Sequence, residues 1–278
     1  MDRENLRVSP SGIEMRLIHI SGRHGLLYAA VSHPPGATAF VIVCSSILGE
    51  FVANYHRERT LERALTEAGI GVLRFHYAGE GNSQGERDML TVETLVDDAH
   101  VVADYASSLA YAALGFVGTR MGAVVAAAVV STMPGTVPLA MWEPLEDPMK
   151  LITDGRRARR MSQLAQDTNA VSPNWTDELE HAGRLDLLGY DIHRPLVESL
   201  KEVDLMSALG STARAIYIAR FREASLSGDL LVEELGRRGF YVESGNYRLD
   251  EAWWFDRETE GPVGAVVADT ADWLGRNL

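Results

Sequence analysis

Leu114-Gly115-Phe116-Val117-Gly118-Thr119-Arg120-Met121-Gly122-Ala123 is an apolar run that breaks at a Gly-x-Arg-x-Gly and continues as an Ala/Val-rich helix. This is the layout of a sharp strand-to-helix elbow, a turn that lifts one side chain above the end of a parallel sheet. Glycine suits the positions two before and two after the lifted residue, because a bulkier side chain there crowds the strained backbone and the neighbouring strand. The lifted residue is Arg120. Its guanidinium stays protonated and cannot attack a carbonyl. The start of the following helix already attracts anions through free N–H groups and the helix dipole, so an arginine there makes a carboxylate or phosphate clamp. The opposing reading is an internal ion pair with Glu50 or Glu143, both expected near the same sheet edge, which would plug the site.

The pattern around the elbow extends in both directions. Ile13 to Ile20 and Leu26 to Val31 read as two strands joined by the turn Ser21-Gly22-Arg23-His24-Gly25. Ala39 to Cys44 is continuously apolar, as in a strand covered on both faces. Glu58 to Ala68 has helical spacing and stops at Gly69. Ile70 to Phe75 is a further strand, followed by the glycine-rich loop Tyr77 to Gly85. Thr91 to Ser107 carries Leu95, Ala99, Val102 and Ala106 on one helical stripe. Downstream of the elbow helix, Val137 to Trp142 and Ala213 to Ala219 read as strands, Leu226 to Arg238 as a helix, Phe240 to Glu243 as a strand and Val263 to Leu274 as a closing helix. Alternating buried strands and helices predict an α/β fold with a mostly parallel central sheet and an antiparallel edge. Between Pro144 and Arg194 the rhythm breaks. The expected organisation is therefore a core over 1–143, an inserted cap over 144–194, and the remainder of the core over 195–278.

Three segments resemble the α/β-hydrolase superfamily. Val72-Leu73-Arg74-Phe75-His76-Tyr77-Ala78-Gly79-Glu80-Gly81-Asn82-Ser83 is similar to the family's R-F-D-x-x-G-x-G-x-S segment, with His76 in place of the aspartate. Gly118 to Gly122 is similar to the nucleophile elbow. Val41 to Glu50 falls where the family places its oxyanion loop. A narrower resemblance is to the serine-aminopeptidase-like branch and, within it, to exosortase-associated hydrolases. These often carry Gly-Leu-Arg-Leu-Gly at the elbow, a Gly-Tyr segment matched by Leu188 to Ile192, and a Phe-Trp pair matched in kind by Trp253-Trp254-Phe255. The resemblance implies a hydrolase scaffold of the inserted-cap type, in a variant with arginine where serine stands.

A serine hydrolase needs a base beside its nucleophile and an acid to orient that base. The serine position holds Arg120. The strand after the cap offers Glu223 but no aspartate directly after it, and no histidine lies downstream of His193. The ordinary acyl-enzyme route therefore has none of its parts. His76 is the best candidate for a general base, by its near-neutral unperturbed pKa. Ser45 and Ser46 fall at the mouth of the sheet, where they either shape the loop or donate hydrogen bonds to a ligand. Cys44 is either a small buried strand end or a thiol activated by a nearby cation. The expected catalytic set is Arg120, His76, Ser45 and Ser46, with Cys44, Glu50, Met121, Glu143, Trp253 and Trp254 lining the substrate.

The glycine-rich loop lacks the third glycine of a dinucleotide fingerprint, and the histidines lack metal-ligand spacing, so no cofactor or metal is expected. The net charge of −13 disfavours nucleic acid, and the longest apolar run, Met121 to Val130, is too short for a membrane span. One cysteine and a polar start fit a soluble cytoplasmic protein. Lys150, Arg156, Arg157, Arg159 and Arg160 form a basic run in the cap, either a solvated face or a landing site for an anionic thioester carrier. Two functions stand open. One is an enzyme acting on an acyl, ester or thioester small molecule, including carrier-protein or coenzyme A thioesters, by a non-standard route. The other is a catalytically inactive binding or scaffold protein. Apolar cap surface leaves a homodimer open.

Overall fold

The computed structural model describes residues 5–109, 111–165, 175–212, 214–221, 229–247 and 263–278. Nine strands form one sheet: β1 (Asn5–Val8), β2 (Glu14–Ser21), β3 (Leu26–His33), β4 (Ala39–Cys44), β5 (Gly71–Phe75), β6 (Ala113–Thr119), β7 (Leu139–Trp142), β10 (Ala215–Arg220) and β11 (Tyr241–Asn246). Their order is β1-β2-β3-β5-β4-β6-β7-β10-β11. The strands from β5 to β11 are parallel along that order, and β1, β2 and β3 form the antiparallel edge. The short β1 was not legible in the sequence.

Side chains alternate across the sheet and feed two cores. Phe40, Ile42 and Cys44 of β4 join the apolar cluster on one face, and Val41 and Val43 join the cluster on the other. Six consecutive apolar residues are required here because neither face meets water. The first face carries α2 (Val92–Ser108), α3 (Met121–Thr132) and α8 (Leu230–Arg237); the second carries α1 (Leu48–Glu67) and α9 (Val263–Asn277). α2 starts with a reciprocal capping pair between Thr91 and Thr94 and buries Leu95, Ala99, Val102 and Ala106, the stripe expected from sequence.

The helix α1 begins ten residues earlier than its apolar spacing suggests. Its buried face carries Glu50, Asn54, Glu58 and Glu62, at intervals of four, alongside Leu61 and Leu65. Polar residues at that interval read as a solvated face, whereas here they point inward and are paired. Between β7 and β10 lie α4 (Lys150–Ala165), α5 (Trp175–Ala182), the hairpin of β8 (Arg184–Leu187) and β9 (Tyr190–His193), α6 (Arg194–Lys201) and α7 (Leu205–Leu209). α6 packs on α2, and α7 packs on α3, so the chain rejoins the main body before β10.

Candidate functional site at the strand-to-helix elbow

Arg120 sits on the crest between β6 and α3 with φ 53° and ψ −115°. A non-glycine residue in that region stores strain on the order of 1–3 kcal/mol, held in place by its surroundings. The flanking glycines are fixed by close approach. A Cβ on Gly118 would overlap the Ala123 backbone and the Gly122 carbonyl, and one on Gly122 would overlap the Cys44 and Ser45 carbonyls. The elbow therefore presses against the end of β4, and Cys44, Ser45 and Ser46 lie beside it.

The guanidinium is buried and paired with Glu50, as the plugged alternative expects, and with Asp154 as well. Its Nη2 donates to Glu50 Oε1 at 3.0 Å and to Asp154 Oδ2 at 2.6 Å, and its Nε faces the Glu50 carboxylate at 3.3 and 3.4 Å. Burial opposes its charge, but Glu50 and then Asp154 outweigh that and hold its pKa above the ordinary arginine value. Glu50, at 1% exposure, also accepts from Ser46 Oγ at 2.6 Å. Asp154 reaches in from α4, with 22% of its side chain exposed. Glu143 is turned elsewhere: its carboxylate accepts from the Phe221 N–H at 2.9 Å and lies 3.7 Å from Arg220.

The other groups around the elbow are similarly occupied. Ser45 Oγ donates to Glu58 Oε2 at 2.6 Å. Burial raises the pKa of the Glu58 carboxyl, against the pull of Ser45. Burial also pushes the Cys44 thiol up to about 12, so the thiolate is absent near neutrality and Cys44 is a packed strand end. In the loop resembling an oxyanion loop, the Leu48 N–H donates to Glu80 Oε2 at 3.2 Å. Met121 is fully buried at the start of α3. His76 is wedged between Tyr28 and Phe51, with ring centroids 4.9 and 4.8 Å away. Its Nδ1 accepts the Asn82 N–H at 2.9 Å, which places the proton of the neutral ring on Nε2. Burial, then Arg74, lowers its pKa to about 4. It is a poor base in this setting, and its ring orders the glycine-rich loop: a Cβ on Gly81 would overlap Nδ1.

A second arginine closes the neighbouring strand end. Arg220, the last residue of β10, contacts Asp229 at 2.6 Å, Glu146 at 2.8 Å and Glu143 at 3.7 Å. In the basic run, Arg159 donates to the Asp186 carbonyl at 2.7 Å and lies 3.5 Å from Glu178, so it ties α4 to the hairpin and to α5. Trp253, Trp254, Glu223 and residues 166–174 lie outside the described residues. Sequence reasoning missed Asp154, which sits in a polar helix with no distinguishing neighbour. It also missed Glu58 and Glu80, whose only signal is the four-residue interval and the loop position.

The strand order, the antiparallel edge, the elbow and the inserted segment after β7 together decide the architecture. The chain has the α/β-hydrolase fold. No family model matches it, and no curated protein matches its sequence. Solved structures do. Est1E from Butyrivibrio proteoclasticus is similar at 14% identity, over 94% of this chain and 98% of that one, with a TM-score of 0.69. The Pyrococcus furiosus esterase Pf2001 is 17% identical over 95% and 91%, with a TM-score of 0.66. An alpha-beta serine hydrolase homologue from Coxiella burnetii is 18% identical over 94% and 96%, with a TM-score of 0.54. Among the described residues, no helix of this fold is long and apolar enough to cross a membrane.

Proposed function

We propose that the chain recognises an acyl, ester or thioester small molecule at its elbow and does not carry that molecule through a serine acyl-enzyme. The observation that carries this reading is Arg120 on the strained crest where a serine nucleophile would stand; its closed pairs with Glu50 and Asp154 favour instead the alternative, a catalytically inactive binding or scaffold protein. A guanidinium in that place holds anions and developing oxyanions, and attacks nothing. The groups that might have substituted for a serine are committed elsewhere: the Cys44 thiol is raised to about 12, Ser45 and Ser46 donate to buried carboxylates, and the His76 Nδ1 lone pair is taken. The choice of ligand class is supported by similarity to esterases; one similar structure, Est1E, holds ferulic acid.

A second reading, turnover of the same ligands by a non-standard route, is favoured by one observation. The backbone strain at Arg120 is retained although no serine needs it. Here Arg120 steadies an oxyanion, and the Nε2–H of the neutral His76 ring is the hydrogen-bond donor that helps place the reacting groups. Calorimetric titration with p-nitrophenyl esters and acyl-coenzyme A thioesters, run beside a turnover assay on the same compounds, separates the two. Binding that is lost in Arg120→Ala, with hydrolysis at the buffer rate, is the expected result. Hydrolysis that disappears in both Arg120→Ala and His76→Ala establishes the second reading, and absence of binding to either class of compound overturns both.

A further inference from the structure

The first half of α1 is turned inside out. Glu50, Glu58 and Glu62 are buried, while Phe51, Val52, Tyr55, His56, Arg59 and Arg63 are not. Val52 and Tyr55 are 40% and 39% exposed, and the Arg59 side chain is 44% exposed. Intervals of three and four place these residues along one outer stripe, aromatic and aliphatic toward the start of the helix and cationic beyond it. The one exposed acid of α1 is its last residue, Glu67. The rings continue past the helix. Phe51 meets Tyr55 at 6.0 Å between centroids and His76 at 4.8 Å; His76 meets Tyr28 of β3 at 4.9 Å, and Tyr28 meets His19 of β2 at 5.9 Å. Tyr55 is backed by the buried Arg74, whose Cζ lies 5.0 Å from the ring centroid, so the exposed ring is held in place. The outer cations are weakly held. Glu62 lies 3.8 Å from Arg59 but already holds Arg74 at 2.7 Å, and Arg63 has no ion-pair partner among the described residues.

We infer that the outer stripe of α1 is an interaction surface, and that its partner is a polypeptide segment in which apolar residues adjoin carboxylates. An exposed apolar patch rimmed by polar groups marks an interaction site, and interface cores are rich in Tyr, Phe and Arg and poor in Glu, Asp and Lys, as this stripe is. From Phe51 to Arg63 it runs roughly 18 Å, the length of three helical turns or a short extended segment. Charge decides between occupants. A second copy docked by two-fold symmetry sets the patch against itself and offers its arginines no acid. A polyphosphate backbone is repelled by a chain of net charge −13 and leaves Phe51, Val52 and Tyr55 without apolar cover. A segment with its own apolar residues beside a few carboxylates satisfies both ends of the stripe. This surface does not depend on the elbow holding a ligand.

The test uses a labelled random copolymer of glutamate and tyrosine, followed by fluorescence anisotropy, with polyglutamate and single-stranded DNA of similar length beside it. Wild type is expected to bind the copolymer about tenfold more tightly than polyglutamate, because the rings need apolar cover as well as charge. Arg59→Gln/Arg63→Gln and Val52→Asp are each expected to lose about tenfold in affinity for the copolymer. All three positions are exposed, so the variants fold as wild type, and their circular dichroism checks this. Lys150→Gln/Arg160→Gln, on the basic run of α4, is expected to bind as wild type does. Absence of copolymer binding overturns the inference, as does binding of polyglutamate or DNA with equal affinity. Loss in the α4 variant in place of the α1 variants also overturns it. Self-association in sedimentation that Val52→Asp abolishes overturns it in favour of a second copy. None of these outcomes bears on ester or thioester binding at the elbow, so the proposed function stands or falls separately.

Discussion

The two helices nearest the elbow are buried by opposite means. α3 reads Met-Gly-Ala-Val-Val-Ala-Ala-Ala-Val-Val and is apolar all round; it lies in the core with almost no side chain exposed. α1 carries charge along its inward face. Glu50 meets Arg120, Glu58 meets Ser45, and Glu62 meets Arg74 at 2.7 Å and Ser32 at 2.5 Å. The apolar helix is stabilised by area removed from water, a term that tolerates small changes of shape. The charged helix is stabilised only while every partner is present, because a buried charge without its partner costs far more than a missing methylene. Function-bearing geometry sits on the second kind of surface.

The difference can be tested by substitution. The largest effect is expected at the contact both helices depend on: Gly122→Ala forces a Cβ into the Cys44 and Ser45 carbonyls, and should lower unfolding stability by on the order of 4 kcal/mol or prevent folding. Next, Arg120→Met leaves Glu50 buried against no cation and should cost about 3 kcal/mol, whereas Arg120→Met/Glu50→Leu should recover at least half of that in denaturant titrations. A double variant no more stable than the single one breaks the comparison. On the apolar helix, Val125→Ala should cost about 1–2 kcal/mol and show no such dependence on a second site.

A separate effect is on the acid limb of stability. The folded pKa of His76, about 4, lies below its unfolded value of 6.5, so the unfolded chain takes up the proton first. Its contribution is complete above about pH 6.5 and is lost as pH falls toward 4. Asp98 acts in the opposite sense: burial raises its pKa from 3.8 to about 6, so the stability it adds at low pH is lost as pH rises through that range. His76→Gln should flatten the acid loss of stability, and Asp98→Asn should steepen it. Melting curves between pH 4 and 7 read both.

The sequence announced the elbow because close backbone approach admits only glycine at Gly118 and Gly122, and announced β4 because a strand covered on both faces admits only apolar residues. The inward face of α1 was not legible. Glu50, Asn54, Glu58 and Glu62 each look like solvated residues until a partner from another element is placed opposite, and Arg120, Ser45 and Arg74 are 70, 13 and 12 positions away along the chain from those they meet. Asp154 was hidden for the same reason. After the hairpin ends at His193, α6 and α7 lead back to the sheet, which resumes at Ala215.

The four-residue interval along α1 has a consequence for alignment. A slip of one turn, roughly 6 Å, carries each residue into the seat of its predecessor in the series. Only the seat of Glu58 would then receive a glutamate for a glutamate, because Glu58 would enter that of Asn54 and Thr66 that of Glu62. Asn54, which bonds back to the Glu50 carbonyl at 2.8 Å, would enter that of Glu50 and offers no charge to a guanidinium. A helix displaced by that turn would set a neutral amide against Arg120 and a hydroxyl against Arg74, so the uncharged members Asn54 and Thr66 admit one docking position.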